Sequence, residues 1–204
     1  MTHWDGVYSS RGPTEMSWFQ ATPTASLELL DVLGVSRQSG VIDVGGGASL
    51  LVDHLLERGF EDVSVLDVSD AALRSARSRL TSGAPVTWVR TDVLSWHPER
   101  GFDLWHDRAV FHFLTDAVDR LTYLRTMRRA LRPGGAVIMG TFASDGPDQC
   151  SGLPVARYSS EELAAAIGAE FDIVAARREV HTTPRGAIQP FSWLAARLRA
   201  NRLA

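Results

Sequence analysis

Three carboxylates and a glycine triplet concentrate this sequence's capacity for chemistry. Asp43 follows the apolar pair Val41-Ile42, Asp67 closes Val63-Ser64-Val65-Leu66, and Asp92 follows Val86-Thr87-Trp88-Val89-Arg90 after one residue. Past Asp43, the triplet Gly45-Gly46-Gly47 leads into the amphipathic stretch that begins at Ala48. Glycine has no Cβ, so such a loop turns tightly and lets the backbone come close to a ligand. The free N–H groups of a helix opening behind it then face that ligand. One acid in such a place is ordinarily a solvated loop carboxylate or a helix cap. Three acids at successive strand ends favour a binding site.

Asp67 lies 24 residues after Asp43, where an acid accepts hydrogen bonds from a ribose on a ligand at the glycine loop. Asp92, at the next strand end, is placed to meet an adenine amino group. Two ribose-bearing ligands fit this much: a dinucleotide and S-adenosylmethionine. The dinucleotide fingerprint requires another glycine three places after the second. Leu50 stands three places after Gly47. The spacing therefore argues for the smaller adenosyl ligand, which has no pyrophosphate.

These residues need an alternation of strands and helices to position them. Strands are expected at 40–44, 63–67, 86–90, 102–106 and 136–142, with two more at 171–180 and 187–197. The last piece, 191–200, reads equally as a short helix. Helices are expected from Thr22-Pro23, with threonine as N-cap and proline at the first helical position. Others follow from Ala48 to about Arg58, after the cap Ser69, from Asp116 to Leu131, and after the capping box Ser159/Glu162. Arg132-Pro133-Gly134-Gly135 stops the fourth of these, and 144–154 reads as loop. Strands separated by helices demand a parallel sheet with crossover connections, and a closing hairpin adds one antiparallel strand. The fold class is α/β, a three-layer sandwich, with ligands at the C-terminal ends of its first strands.

The length of 204 residues suits one domain, with residues 1–20 as an aromatic-rich arm and 21–204 as the core. The arm carries Trp4, Tyr8, Trp18 and Phe19; it either anchors on the domain or covers the cofactor pocket. A net charge of −3 gives no basis for a nucleic-acid or membrane partner. All 21 Lys/Arg residues are arginine, spread along the chain in the manner of a coding bias. Cys150 is the single cysteine, which rules out an internal disulfide and a thiolate zinc site, and no metal site is expected. The N-terminal residues lack the charge and apolar pattern of a secretory signal, and no apolar run reaches membrane-spanning length. The expectation is a soluble, cytoplasmic protein.

Taken in order, these motifs resemble the class I S-adenosylmethionine-dependent methyltransferases. Asp43-Val44-Gly45-Gly46-Gly47 is similar to their first motif, Val65-Leu66-Asp67-Val68-Ser69 to the second, and Arg90-Thr91-Asp92-Val93 to the adenine-contacting turn. Residues 102–107 are similar to their fourth-strand motif and 131–135 to the turn before their fifth strand. The resemblance covers about residues 39–142; Ser49 departs from it, standing where many members have a third glycine. It implies a Rossmann-like, mostly parallel seven-stranded sheet of order 3-2-1-4-5-7-6, strand 7 antiparallel. It also implies S-adenosylmethionine as cofactor and S-adenosylhomocysteine as product. By matched position, Gly45 and Gly47 would face the methionine part, Asp67 the ribose hydroxyls, and Asp92 with Val93 the adenine; Asp43, Gly46 and Val68 are further expected cofactor contacts. Asp107 would stand near the reactive methyl.

Weaker resemblances bear on the acceptor. Residues 105–111 are similar to a stretch of thiopurine S-methyltransferases and of some protein-lysine methyltransferases. Trp4-Asp5 with Glu15-Met16-Ser17-Trp18-Phe19 resembles the arm of the branch that methylates lysines of citrate synthase and elongation factors. Methyl transfer asks the protein to position the acceptor, exclude water and, for an ammonium, remove a proton. The candidates for that chemistry are Asp107 and His106 at the end of strand four, and His112 between Phe111 and Phe113. A histidine between aromatics is also commonly just packed. Candidate acceptor contacts are Trp18, Arg108, which would attract an anion, and His181. The leading reading is a methyltransferase of a small-molecule thiol, amine or hydroxyl. The alternatives are a protein-lysine methyltransferase, with a protein partner, and a cofactor-binding protein without catalysis.

Overall fold

The computed structural model describes residues 3–10 and 12–200; residues 1, 2 and 11 of the arm and the last four of the expected core, 201–204, lie outside the described residues. Seven strands form one sheet: β1 (Val41–Val44), β2 (Val63–Asp67), β3 (Val86–Arg90), β4 (Phe102–Arg108), β5 (Leu131–Phe142), β6 (Phe171–Thr182) and β7 (Ile188–Leu198). Their order is β3-β2-β1-β4-β5-β7-β6, as the resemblance implies. Strands β3, β2, β1, β4 and β5 pair in parallel, and β7 runs antiparallel to both neighbours.

Burial on both faces explains the continuous apolar runs of β1 and β2, every residue of which is buried. On one face, α2 (Thr24–Leu33), α3 (Leu51–Glu57) and α4 (Asp70–Arg79) pack Leu29, Leu30, Leu55 and Leu73 against Val41, Val63, Leu104 and Trp193. On the other, α5 (Ala117–Ala130) and α6 (Ser160–Ile167) pack Tyr123, Met127, Leu163 and Ile167 against Ile42, Trp105 and Val137. The arm forms α1 (His3–Ser10).

Several expected boundaries shift. Thr22 does not cap α2: Pro23 occupies the N-cap, without a side-chain cap bond, and the helix begins at Thr24. α3 begins at Leu51 rather than Ala48 because Ser49 first closes a turn onto the Gly46 carbonyl. Residues 131–135 open β5 instead of forming a separate turn. Part of the 144–154 loop is a small ribbon, Gln149–Cys150 against Leu153–Pro154. The ambiguous stretch from Phe191 is strand, because pairing on both sides outweighs its helical alternative. The Ser159/Glu162 capping box and the Ser69 cap form as expected.

Candidate functional site

Parallel pairing brings the C-terminal ends of β1 to β4 to one edge of the sheet. Val44 pairs with Leu66 and with Asp107, and Asp67 with Arg90. A cavity of about 370 Å³ opens there, within the range of small-ligand sites. Its lining runs from Asp92 and Val93 beyond β3, through Asp67 and Val68 at β2 and Gly45 at β1, to Arg108, Ala109 and Val110 at β4. Trp4, Tyr8 and Trp18 of the arm and Phe113 line it as well. A smaller recess of about 50 Å³ shares Gly45, Tyr8, Trp18 and Arg108 and reaches Ser26, Asp43 and His106.

The glycine loop is required by what surrounds it. Gly45 and Gly47 adopt φ of +66° and +49°, a region that side chains disfavour. A Cβ on Gly45 would collide with Val110, and one on Gly47 would stand 2.7 Å from the Tyr8 hydroxyl and 3.0 Å from Asp67 Oδ2. The loop is thus a cradle with one wall from the β4 turn and another from the arm.

Asp67 is 7% exposed, and its Oδ1 accepts the Ser69 N–H at 2.8 Å. Burial, opposed by that hydrogen bond and assisted by the charge of Asp43, pushes its carboxyl up to about 6. Oδ2 faces the loop and cavity, so this acid can accept hydroxyl protons from a bound ribose. Asp92 is exposed, ties the turn through a bond from the Leu94 N–H at 2.9 Å, and lines the cavity beside buried Val93.

Of the residues expected to act on the methyl, Asp107 and His112 do not line the cavity, and His106 lines the recess. Asp107 is wholly buried and does not line the cavity. Its oxygens accept the Val110 N–H at 2.8 Å, the Phe111 N–H at 3.0 Å and the Tyr123 hydroxyl. Burial raises its carboxyl to about 6 against these bonds. It holds the short 3-10 turn Phe111–Phe113 and through it places Val110 over Gly45. The resemblance expects Asp107 beside the methyl; here both of its oxygens are occupied by Val110, Phe111 and Tyr123.

His106 is 3% exposed: its Nδ1 lies 2.7 Å from Asp43 Oδ1 and its Nε2 2.9 Å from Ser26 Oγ. Its two ring nitrogens thus face a carboxylate and a hydroxyl. The chain Ser26–His106–Asp43 braces the floor beneath the glycine loop and places Asp43 under it.

His112 is fully buried between Phe113 and Phe142, at ring distances of 4.5 and 4.7 Å. Burial and the charge of Arg108 hold it down at about 3, so it is packed and neutral. His181 meets the Ser17 carbonyl at 2.7 Å and tethers the arm; it does not line the cavity. Burial lowers its pKa, so the neutral Nε2–H form makes that bond.

Trp18 and Arg108 do reach the cavity. Trp18 packs on Trp4 and Tyr8 at 6.0 and 5.9 Å, and Trp4 packs on Phe113 at 5.0 Å. Asp5 accepts the Ser69 hydroxyl at 2.9 Å, joining α1 to the Asp67 turn. Tyr8, Tyr123 and Ser26 were not singled out as site residues from the sequence. Tyr8 was visible only as one of several aromatics, and the other two act through partners far along the chain. Among the described residues no group of acids, histidines and cysteine is placed to hold a metal. No helix among them is long and apolar enough to cross a membrane.

Residues 41–135 match the family model described as a methyltransferase domain. Malonyl-[acyl-carrier protein] O-methyltransferase 1 of Ilyobacter polytropus is 25% identical over 114 residues, 55% of this chain and 41% of the relative. The eEF1A lysine and N-terminal methyltransferase of Mus musculus is 24% identical over 140 residues, 67% of this chain and 19% of the relative. The chain therefore spans less than half the length of either relative. A solved structure of Burkholderia thailandensis 1,6-didemethyltoxoflavin-N1-methyltransferase, with that compound and S-adenosylhomocysteine bound, superposes with a TM-score of 0.66. It is 24% identical, and the match covers 95% of this chain and 81% of that one. The resemblance to class I S-adenosylmethionine-dependent methyltransferases thus holds in sequence over 41–135 and in fold over nearly the whole chain.

Proposed function

We propose that this chain, whose residues 41–135 form a methyltransferase domain, is an S-adenosylmethionine-dependent methyltransferase of a small-molecule acceptor. The observation that carries this reading is a single cavity running from the acids beyond β2 and β3 to the end of β4, with the arm's tryptophans in its wall. Asp67 takes the ribose hydroxyls, Asp92 and Val93 the adenine, and the loop from Gly45 to Gly47 lets the backbone approach the methionine part. When bound, the cofactor supplies a methyl on a positively charged sulfur; the bond from sulfur to carbon breaks as the acceptor's lone pair forms its own.

The chain's part is placement and exclusion of water. Val110 and the arm close over the loop, and Asp107 with Tyr123 keeps Val110 there. The histidines weighed as bases are engaged or packed. Burial raises the Tyr8 hydroxyl, and it raises the Cys150 thiol to about 11, so both stay protonated at neutral pH. Such a site suits an acceptor that arrives already ionised. A lysine of a protein would need an open groove beside Asp107, and that acid is buried.

Incubation with methyl-labelled cofactor and whole-cell extract, followed by separation of small molecules from protein, tests the assignment. Label in the small-molecule fraction is expected. Label confined to protein would replace the small-molecule reading with the lysine one, and cofactor binding with no transfer at all would favour a non-catalytic binder.

A further inference from the structure

Buried side-chain atoms without a hydrogen-bond partner are few among the described residues, and two of the four belong to Arg108: Nε and Nη2. The third nitrogen, Nη1, donates to the Trp18 carbonyl at 2.9 Å, and the guanidinium lies over the Phe191 ring at 4.7 Å. The group is therefore fixed at one corner and on one face, with a single edge left over. That edge pairs Nε–H with Nη2–H, the parallel two-donor fork that matches the two oxygens of a carboxylate.

No acid among the described residues fills it. Glu179, whose charge acts on Arg108, has already given Oε1 to Gln20 at 2.6 Å and Oε2 to Trp193 at 2.8 Å. Asp107, the preceding residue, turns to the opposite face of the sheet, toward Tyr123. Most other arginines involved in side-chain bonding meet an acid, such as Arg79 with Asp53 and Arg100 with Asp62. A shielded cation with two idle donors is costly unless a ligand completes it. Arg108 lines both the main cavity and the recess.

Its place also separates it from the adenosine end. Asp92 follows β3 and Arg108 ends β4, three strands away in the order β3-β2-β1-β4. At about 4.8 Å per strand that is roughly 14 Å. Arg108 therefore sits at the far end of the cavity from Asp92.

We propose that the acceptor is a carboxylate-bearing small molecule, anchored by the Nε/Nη2 edge of Arg108. This rests on the methyltransferase reading and narrows its substrate class. Trp18 is both part of the cavity wall and the residue whose carbonyl orients the guanidinium, so the arm and the anchor form one unit.

The test uses protein saturated with S-adenosylhomocysteine, titrated with benzoate, malonate, inorganic phosphate and the neutral isostere benzamide at constant ionic strength. Intrinsic tryptophan fluorescence, which Trp4 and Trp18 report, and the melting temperature are read. At least one carboxylate is expected to saturate and to raise the melting temperature, with phosphate weaker and benzamide inert. Arg108→Met should weaken that carboxylate about tenfold or more, the loss of one charge-assisted pair. Arg108→Lys, which keeps the charge and loses the fork, should fall between, and it carries the comparison if the methionine variant does not fold. Both should bind S-adenosylhomocysteine within about threefold of wild type. The proposal is overturned if no carboxylate binds the loaded wild type, if phosphate binds more tightly than every carboxylate, or if the variants bind the carboxylate unchanged. An equal loss of S-adenosylhomocysteine affinity also overturns it, because the fork then holds the cofactor's own carboxylate. Failure of the wild type to bind S-adenosylhomocysteine refutes the methyltransferase reading itself and is seen before any anion is added.

Discussion

Replacing Asp107 with asparagine separates a positioning carboxylate from a catalytic base. Three donors converge on this buried group: the Val110 and Phe111 N–H groups and the Tyr123 hydroxyl. In the best orientation the amide oxygen keeps Phe111 and Tyr123, while the amide nitrogen confronts the Val110 N–H donor to donor. One bond to a charged acceptor is lost and one buried donor is left unsatisfied, about 2–4 kcal/mol together. For a chain of this size that corresponds to a fall of roughly 4–16 °C in melting temperature. Turnover of the folded fraction should drop modestly, mainly through weaker cofactor binding as Val110 loosens over Gly45. The pH dependence should change too. A carboxyl raised to about 6 in the folded chain holds a proton that the unfolded chain releases near 4, so its contribution to stability is present at pH 4 and lost as pH rises through 6. Asp107→Asn removes that contribution. Thermal melts from pH 4.5 to 7.5, with single-turnover methyl transfer at 20 °C, read both effects. An unchanged melting temperature with turnover reduced about 10²-fold or more, the signature of a lost general base, would refute the positioning role.

Asp67 is raised to about 6 by burial and serves the ribose as a carboxylate, so S-adenosylhomocysteine affinity should rise with pH up to tenfold per unit below about 6 and level off above it; Asp67→Asn should give a flat profile by calorimetry. Ala109 holds φ of +72° in the cavity wall, a conformation costing a non-glycine residue about 1–2 kcal/mol. Ala109→Gly should therefore be neutral or stabilising by up to about 1 kcal/mol, whereas Ala109→Val should destabilise by more than about 2 kcal/mol; denaturant midpoints that rank the two the other way would contradict this. Loss of the His181 tether to Ser17 in His181→Ala should expose the arm, seen as faster proteolysis in the first twenty residues, with the core's unfolding free energy lowered by only about 1–3 kcal/mol.

The parts of the fold built from local pattern could be read directly. β1, β2 and β3 are short runs bounded by clear breakers, and Ser69 and the Ser159/Glu162 pair cap helices through contacts three residues away. Asp67 is legible in the same way, since it ends β2, with Asp43 one place before the end of β1 and Asp92 two places past β3. What needed coordinates was decided across the chain. His3–Ser10 has a weak helical pattern and is placed by Trp4 on Phe113 and Asp5 on Ser69. The sequence puts His106, Asp107 and Arg108 together, but strand alternation sends Asp107 to one face and its neighbours to the other. On that face Tyr123 of α5 claims the acid, a pairing no spacing rule announces. Arg108's open edge depends on Trp18, Glu179, Gln20 and Trp193 at once, four positions scattered over most of the chain.

Calorimetric titration of S-adenosylhomocysteine into the wild-type chain and Asp67→Asn measures the site itself. One molecule should bind per wild-type chain, NAD should give no heat, and Asp67→Asn should bind about 10- to 150-fold more weakly, as expected for losing a charge-assisted bond pattern worth about 1.5–3 kcal/mol. Absence of binding to the wild type, or equal affinity in the two proteins, would contradict the assignment of this cavity to the adenosyl cofactor.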